Sequence, residues 1–269
     1  MVGSLQDPLQ QSPIEYQLPI GDEFVPINPL IGQTVKLSTA GLINCIACGR
    51  KTNKSFSQGH CFPCMRSLPQ CDSCIIKPEL CHYDAGTCRD AKWGEENCLR
   101  DHFVYLANSS DVKVGITRGT QIPTRWIDQG ASQALPIFRV SNRLLSGKIE
   151  VALKTHVADK TNWRKMLKGK PESVDLVAIA EQLVSDCKEP ISAIEQEFGI
   201  QSISRLENES VVEINYPVEA YPEKIKSLNL DKTPEIEGTL VGIKGQYLIF
   251  DIGVLNIRKY TGYHLTLTS

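Results

Sequence analysis

The sequence has little of what several protein classes require. No apolar run approaches the roughly 20 residues that a membrane-spanning helix needs, although 41% of the chain is hydrophobic. The first thirty residues are polar and proline-rich. They lack a basic stretch followed by an apolar core, so no secretory leader is expected and a cytoplasmic location is implied. There is no nucleophile elbow and no internal repeat. The glycine-rich pieces near the C-terminus lack the strand–loop–helix context of a dinucleotide fingerprint, which argues against NAD. Net charge is almost absent, at -2 over 269 residues. The charged fraction of 22% is still that of an ordinary folded chain rather than a disordered one. The length allows one large domain or two to three small ones.

Cysteine is scarce outside one segment. Nine of the ten cysteines lie between Cys45 and Cys98, and only Cys187 lies elsewhere. A reducing compartment disfavours disulfides, which leaves metal or redox chemistry. Cys45 and Cys48 enclose two residues, as do Cys61 and Cys64. A two-residue spacing lets a tight turn aim both thiolates at one ion, with backbone N–H groups turned toward the sulfurs. Gly49 suits the positive φ that ends such a turn. Two turns supply four sulfurs, enough to close a structural tetrahedral Zn2+ site. An iron–sulfur cluster and redox dithiols are the alternatives. A second set follows, comprising Cys71, Cys74, Cys81, Cys88, Cys98 and His102. Three residues separate Cys98 from His102, a spacing that would put both on one face of a helical turn. The preferred ligands are Cys71, Cys74, Cys98 and His102, with Cys81 and Cys88 as alternates. His60 and His82 read as supporting or surface residues. The segment has few large apolar side chains, so one or two Zn2+ ions are expected to supply folding free energy.

The near-zero net charge conceals an uneven distribution. Residues 104–171 hold 12 Lys and Arg against 4 Asp and Glu, while the flanking blocks hold 9 against 11 and 8 against 16. A basic block between acidic ones suggests a nucleic-acid surface. The alternative is a basic face docked on the acidic C-terminal block.

Beyond His102 the pattern changes. Phe103 to Ala107 and Val112 to Thr117 read as strands joined by the turn Asn108 to Asp111. Pro123 to Gly130 reads as a helix, Leu135 to Val140 as a strand, and Gly147 to His156 as a helix with Ile149, Leu153 and Val157 on one face. This β-β-α-β-α order resembles the GIY-YIG nuclease superfamily over residues 103–165. Val104-Tyr105-Leu106 meets the first motif and Lys113-Val114-Gly115 the second. Arg125 meets the helix arginine, Glu150 the metal-binding glutamate and Asn162 a later polar residue. Lys113 stands where the superfamily has its second tyrosine. The resemblance implies a divalent-metal-dependent phosphodiesterase (an endonuclease), active or degenerate, using Mg2+ or Mn2+. Asp111, Asp128 and Asp159 are placed in a turn, on the other helix, or past the helix face. The stretch from Leu42 to Lys154 is also similar to an uncharacterised prokaryotic family that joins a Cys-rich zinc segment to a V-Y-L-A…K-V-G-I-T-R…R-W-x-D-Q-G-A block, a likeness that implies no activity.

Further on, Lys168 to Pro171 reads as a linker, Val174 to Asp186 as a helix, and 191–230 as mixed and acidic with a strand at Ser210 to Tyr216. Short alternating runs after Glu235 suggest a small barrel of SH3-like or OB-like kind. The expectation is therefore an α+β protein. It has an N-terminal arm (1–40) that lays a strand on its neighbour, a zinc-binding segment (41–102) and a GIY-YIG-like core (103–170). A helical acidic region (171–232) and a small β-barrel (233–269) complete it. The expected partner is DNA or RNA, with no membrane. A non-enzymatic zinc-stapled adaptor that binds protein or RNA is the alternative.

Overall fold

The computed structural model describes residues 1–5, 12–157 and 160–269. Asp159 and residues 6–11 of the expected N-terminal arm lie outside them. The chain opens with a small antiparallel sheet of β1 (Val2–Ser4), β2 (Glu15–Ile20) and β3 (Glu23–Pro26). Alternation along β2 turns Tyr16 and Leu18 inward and Glu15 and Gln17 outward, the period-two signature of a half-buried strand. β4 (Thr34–Ile43) leads into the Cys-rich segment. That segment holds only the short helices α1 (Phe62–Ser67) and α2 (Ala91–Asn97), with one-turn 3-10 helices between them. Asp90 caps α2 by accepting from the Trp93 N–H at 3.0 Å.

The middle of the chain runs β5 (His102–Asn108), β6 (Val112–Arg118), α3 (Thr124–Asp128), β7 (Gln133–Val140) and α4 (Arg143–Leu153). α4 starts four residues before the apolar pattern suggests. The reason is Asn142, whose side chain accepts from the Leu145 N–H at 2.9 Å. α3 closes at Gly130, which has φ +69. β5 lies between β6 and β7, all antiparallel. Both of its faces are covered. Tyr105 and Ala107 face a core shared with Trp126, Ile127 and Ala134, while Val104 and Leu106 face Leu145, Ile149 and Leu153 of α4.

α5 (Trp163–Met166), α6 (Leu176–Asp186) and α7 (Lys188–Phe198) follow. Sequence reading placed 191–230 as mixed; here α7 takes its first part. It is anchored by buried Ile191, with Ile194 and Phe198 packed beside it at helical spacing. β8 (Ile203–Arg205) and β9 (Val212–Glu213) pair with β7, so the strand expected at 210–216 shrinks to two residues.

β10 (Glu235–Lys244), β11 (Tyr247–Phe250), β12 (Gly253–Asn256) and β13 (Tyr263–Thr268) complete the chain. They do not form a sheet by themselves. The order is β12-β11-β10-β4-β13, with β4 between β10 and β13. Boundaries at 40 and 233 therefore cut through one sheet. They also cut through one core, in which Tyr16, Leu37, Tyr105, Trp126, Ile243 and Phe250 are all buried together. β1 packs closely on α3: a Cβ on Gly3 would come within 2.6 Å of Ile127. No helix among the described residues is long and apolar enough to cross a membrane.

Candidate metal centre and phosphate-binding face

Cys45, Cys48, Cys61 and Cys64 form a four-sulfur cluster that could hold a metal ion, their sulfurs all within 4.8 Å of one another. Two local turns bring them together. Gly49, at φ +72, ends the first. The second is preceded by Ser57 and Gln58, both held at positive φ, and Cys61 then opens α1. The Cys48 and Cys61 sulfurs stand 3.8 Å apart. Tetrahedral bonds of about 2.3 Å from one Zn2+ put ligand sulfurs about 3.8 Å apart, so the spacing fits that ion. Burial would raise the Cys45 thiol, yet backbone N–H groups of Cys61, Cys48 and Ala47 outweigh it and lower the pKa to about 6. Cys64, hydrogen-bonded to Cys61 and Cys48, is instead pushed up to about 12. Four neighbouring thiols cannot all ionise without a cation to offset their repulsion.

The second set does not gather as expected. α2 ends at Asn97, with Cys98 as its cap, and His102 is already the first residue of β5. The two share no helical face. His102 is fully buried, and its Nδ1 sits 2.7 Å from the Arg100 carbonyl oxygen. Burial, helped by the charges of Arg143, Arg118 and Arg100, lowers its pKa to about 4. Cys71 turns toward Ser57 and Arg89, on the side of the first cluster. His60 contacts the Ser57 carbonyl at 3.1 Å. His82, Asp72 and Cys74 form a further group with converging ligand atoms. There, Asp72 is already paired with Arg89 at 2.7 Å.

Tyr105 is the centre of the second candidate region. It is fully buried, opposite Gly115 in the β5–β6 register. Its hydroxyl donates to Gln129 Oε1 at 3.1 Å. Burial pushes the phenol up to about 12; Arg125 pulls the other way, through charge and a hydrogen bond, and the Glu150 carboxylate adds to the rise. Arg125 and Glu150, far apart in sequence, therefore both act on Tyr105. Arg125 itself is exposed and Glu150 half-buried. Lys113 is only 4% exposed and lies on the Tyr105–Gly115 face of the hairpin, paired with Ala107. Asn162 does not join this group through its hydrogen bonds. Its side chain caps α5 by accepting from the Lys165 N–H at 3.1 Å, and its own N–H donates to Ser110 at the hairpin turn. Asp128 is held by Gln246 at 2.5 Å and Arg258 at 3.3 Å.

Two residues of this region were not singled out by sequence reading. Gln129 stands four residues after Arg125, on the same side of α3, and helical spacing alone could have flagged it. Arg143 had no such signal. It is pressed down in pKa first by burial and then, against the pull of Cys98 and Cys74, by Arg118 and Arg125. Part of the basic block is offset by acidic partners: Lys148 pairs with Glu197 of α7 at 2.9 Å, and Lys165 with Asp111 at 2.5 Å.

Over residues 32–265 the chain matches the model of a family described as "Protein of unknown function (DUF2797)", and it belongs to that family. No curated protein and no solved structure matches it.

Proposed function

We propose that this DUF2797 member is a zinc-stabilised nucleic-acid-binding protein whose β5–α4 unit is a GIY-YIG-like phosphodiesterase core. The observation that carries the reading is the joint influence of Arg125 and Glu150 on the buried Tyr105. A guanidinium and a carboxylate that both act on one tyrosine, in a block rich in Lys and Arg, would offer a phosphate a bidentate partner and a hard oxygen ligand for Mg2+ or Mn2+. Mg2+ keeps several waters and needs only one or two carboxylates, which one half-buried glutamate satisfies. When bound, such an ion supplies Lewis-acid stabilisation of charge on the phosphate. Arg125, exposed on α3, pairs phosphate oxygens in the ground state and steadies the charge that develops on them. Gln129 and Tyr105 hold the geometry beneath it. The Cys45–Cys48–Cys61–Cys64 cluster holds Zn2+ as a closed structural site, because four thiolates leave no open position. Reduced thiols in such a site suit the cytoplasm.

A second reading, the non-enzymatic adaptor that binds protein or RNA, is favoured by one observation. Tyr105 has no exposed surface, and a phenol pushed up to about 12 is a poor general base near neutral pH. The deciding experiment is cleavage of mixed DNA and RNA in Mg2+ and Mn2+ by wild type and Glu150→Gln. Metal-dependent cleavage lost in the variant supports the nuclease. Binding without cleavage in either protein supports the adaptor.

A further inference from the structure

The six thiol and imidazole groups after Cys71 need not all serve one ion, and their placement separates them. A small cavity lies within the Cys-rich segment, lined by Cys74, Cys81, Cys88 and Cys98 among others. Its volume is about 10 Å³, room for roughly one water-sized body. Each cysteine arrives on its own turn. Cys74 sits in a one-turn helix after Asp72, and Cys81 closes the turn Pro78–Leu80. Cys98 closes α2. Cys88 packs against α2 where a side chain is missing, so that a Cβ on Gly94 would lie 3.4 Å from its sulfur. Cys81 acts electrostatically on both Cys74 and Cys98, and Cys88 acts on Cys98.

We propose that Cys74, Cys81, Cys88 and Cys98 form a second four-sulfur zinc site. The spacings run six, six and nine intervening residues, which match no paired-cysteine motif. Thiolates are the soft ligands that zinc favours, and an ion in this space would draw the four sulfurs in from the cavity wall to close a structural site. Binding converts up to four thiols to thiolates and releases their protons to solvent, with no redox change. Asp72 and His82 complete the wall, and their donor atoms converge with that of Cys74. Asp72 is committed to Arg89 at 2.7 Å; His82 Nδ1 is held by the Thr87 hydroxyl at 2.9 Å, which leaves Nε2 as the rival donor on the wall. Cys71 does not line the cavity. A second rival ligand is His102, whose buried Nε2 has no hydrogen-bond partner. It too is absent from the lining, and three arginine charges act on it.

The site is built against α4. The turn Pro78–Leu80, between Cys74 and Cys81, lies so close that a Cβ on Gly147 would be 2.4 Å from the Glu79 backbone nitrogen. Cys98 accepts from the Arg143 N–H at 2.9 Å, and Arg143 Nη2 donates to the Ile75 carbonyl at 2.7 Å. The ion thus staples the Cys-rich segment to the first two turns of the helix that carries Glu150. This inference stands apart from the nuclease reading, because its test reads metal and thiols alone.

The test uses the full chain loaded with Zn2+. Metal analysis should give two zinc ions per chain, falling to one in Cys81→Ser and in Cys88→Ser and staying at two in Cys71→Ser, in His82→Gln and in His102→Gln. In wild type, which avoids any folding failure of the variants, maleimide should label Cys71 without releasing zinc. Cys74, Cys81, Cys88 and Cys98 should become reactive together as one zinc equivalent reaches a chromogenic chelator. One zinc per chain with those four cysteines labelled at no loss of metal overturns the proposal. So does loss of a zinc on changing Cys71, His82 or His102 while the Cys81 and Cys88 variants keep both.

Discussion

Gly115 lies directly opposite Tyr105 across the β5–β6 hairpin, so close that a Cβ on Gly115 would be 2.7 Å from the tyrosine hydroxyl oxygen. The glycine is the floor on which the phenol ring rests. The ring's other side meets Trp126 edge-on, with centroids 5.9 Å apart. Tyr105 can reach Gln129 and Arg125 only because position 115 carries no side chain. Gly115→Ala should therefore force the ring to move and destabilise the protein by about 1–3 kcal/mol, the usual cost of overpacking a filled core. Chemical denaturation compared with wild type measures this. An unchanged midpoint would mean that the ring has room to spare.

Chelation of zinc should unfold the region before Phe103 first. Cys45, Cys48, Cys61 and Cys64 are held by short turns with only two short helices nearby, so metal supplies stability that the segment's own core lacks. Hydrogen exchange after chelator addition under mild denaturant should show that segment losing protection ahead of β5 to α4. Absence of zinc, with all nine thiols of the segment freely titratable in the native protein, would sink the reading.

Nucleic-acid binding should weaken steeply with salt and depend on Arg125, Lys154 and Arg164, all exposed. Counterion release imposes that slope when several cations contact phosphates. Reversing the three charges together should abolish binding in a fluorescence titration. Unchanged binding would place the interface elsewhere on the surface, with the C-terminal sheet next to be tried.

Glu150→Gln should remove metal-dependent cleavage, by on the order of 10³-fold or more, and leave binding intact or slightly stronger. The variant deletes the hard ligand but keeps the shape, and losing a negative charge favours phosphate contact. Arg125→Ala should lower binding and cleavage together, since its guanidinium acts in ground and transition states alike. Cleavage by the Gln variant at the wild-type rate would assign any activity to another site.

Acid should cost stability through His102. Its pKa falls from an ordinary value near 6.5 to about 4 on folding, chiefly by burial. The unfolded chain then binds the extra proton between about pH 6.5 and pH 4, so stability falls as pH drops through that window. The contribution is at most about 3.5 kcal/mol, from about 1.4 kcal/mol per pKa unit. His102→Gln should flatten this part of the stability–pH curve at matched zinc loading. An equal slope in the variant would assign the acid sensitivity to the zinc thiolates instead.

Local patterns carried much of this protein in plain view. Cys45, Cys48, Cys61 and Cys64 could be read as one site because a two-residue spacing constrains a single turn, and Gly49 takes its positive φ there. The unbroken apolar run around Tyr105 and the apolar face of Ile149 and Leu153 were equally visible, since a short apolar run marks a strand covered on both faces and a 3.6-residue period marks a helix. α4 began earlier than its apolar pattern because a single cap, Asn142, outweighed periodicity. The shared helical face of Cys98 and His102 was misjudged for a related reason: spacing presumes a continuing helix, and this one stops at Asn97.

Long-range pairing was not legible in that way. Nothing local says that β4 slides between β10 and β13 across about two hundred residues, or that Gln129 meets Tyr105. Nothing local groups Cys74, Cys81, Cys88 and Cys98 while leaving Cys71 outside. Residue type and short-range spacing decided which turns, strands and ligand chemistries this chain could form. Burial of shared apolar faces, which depends on contacts between distant segments, decided which of those pieces face each other.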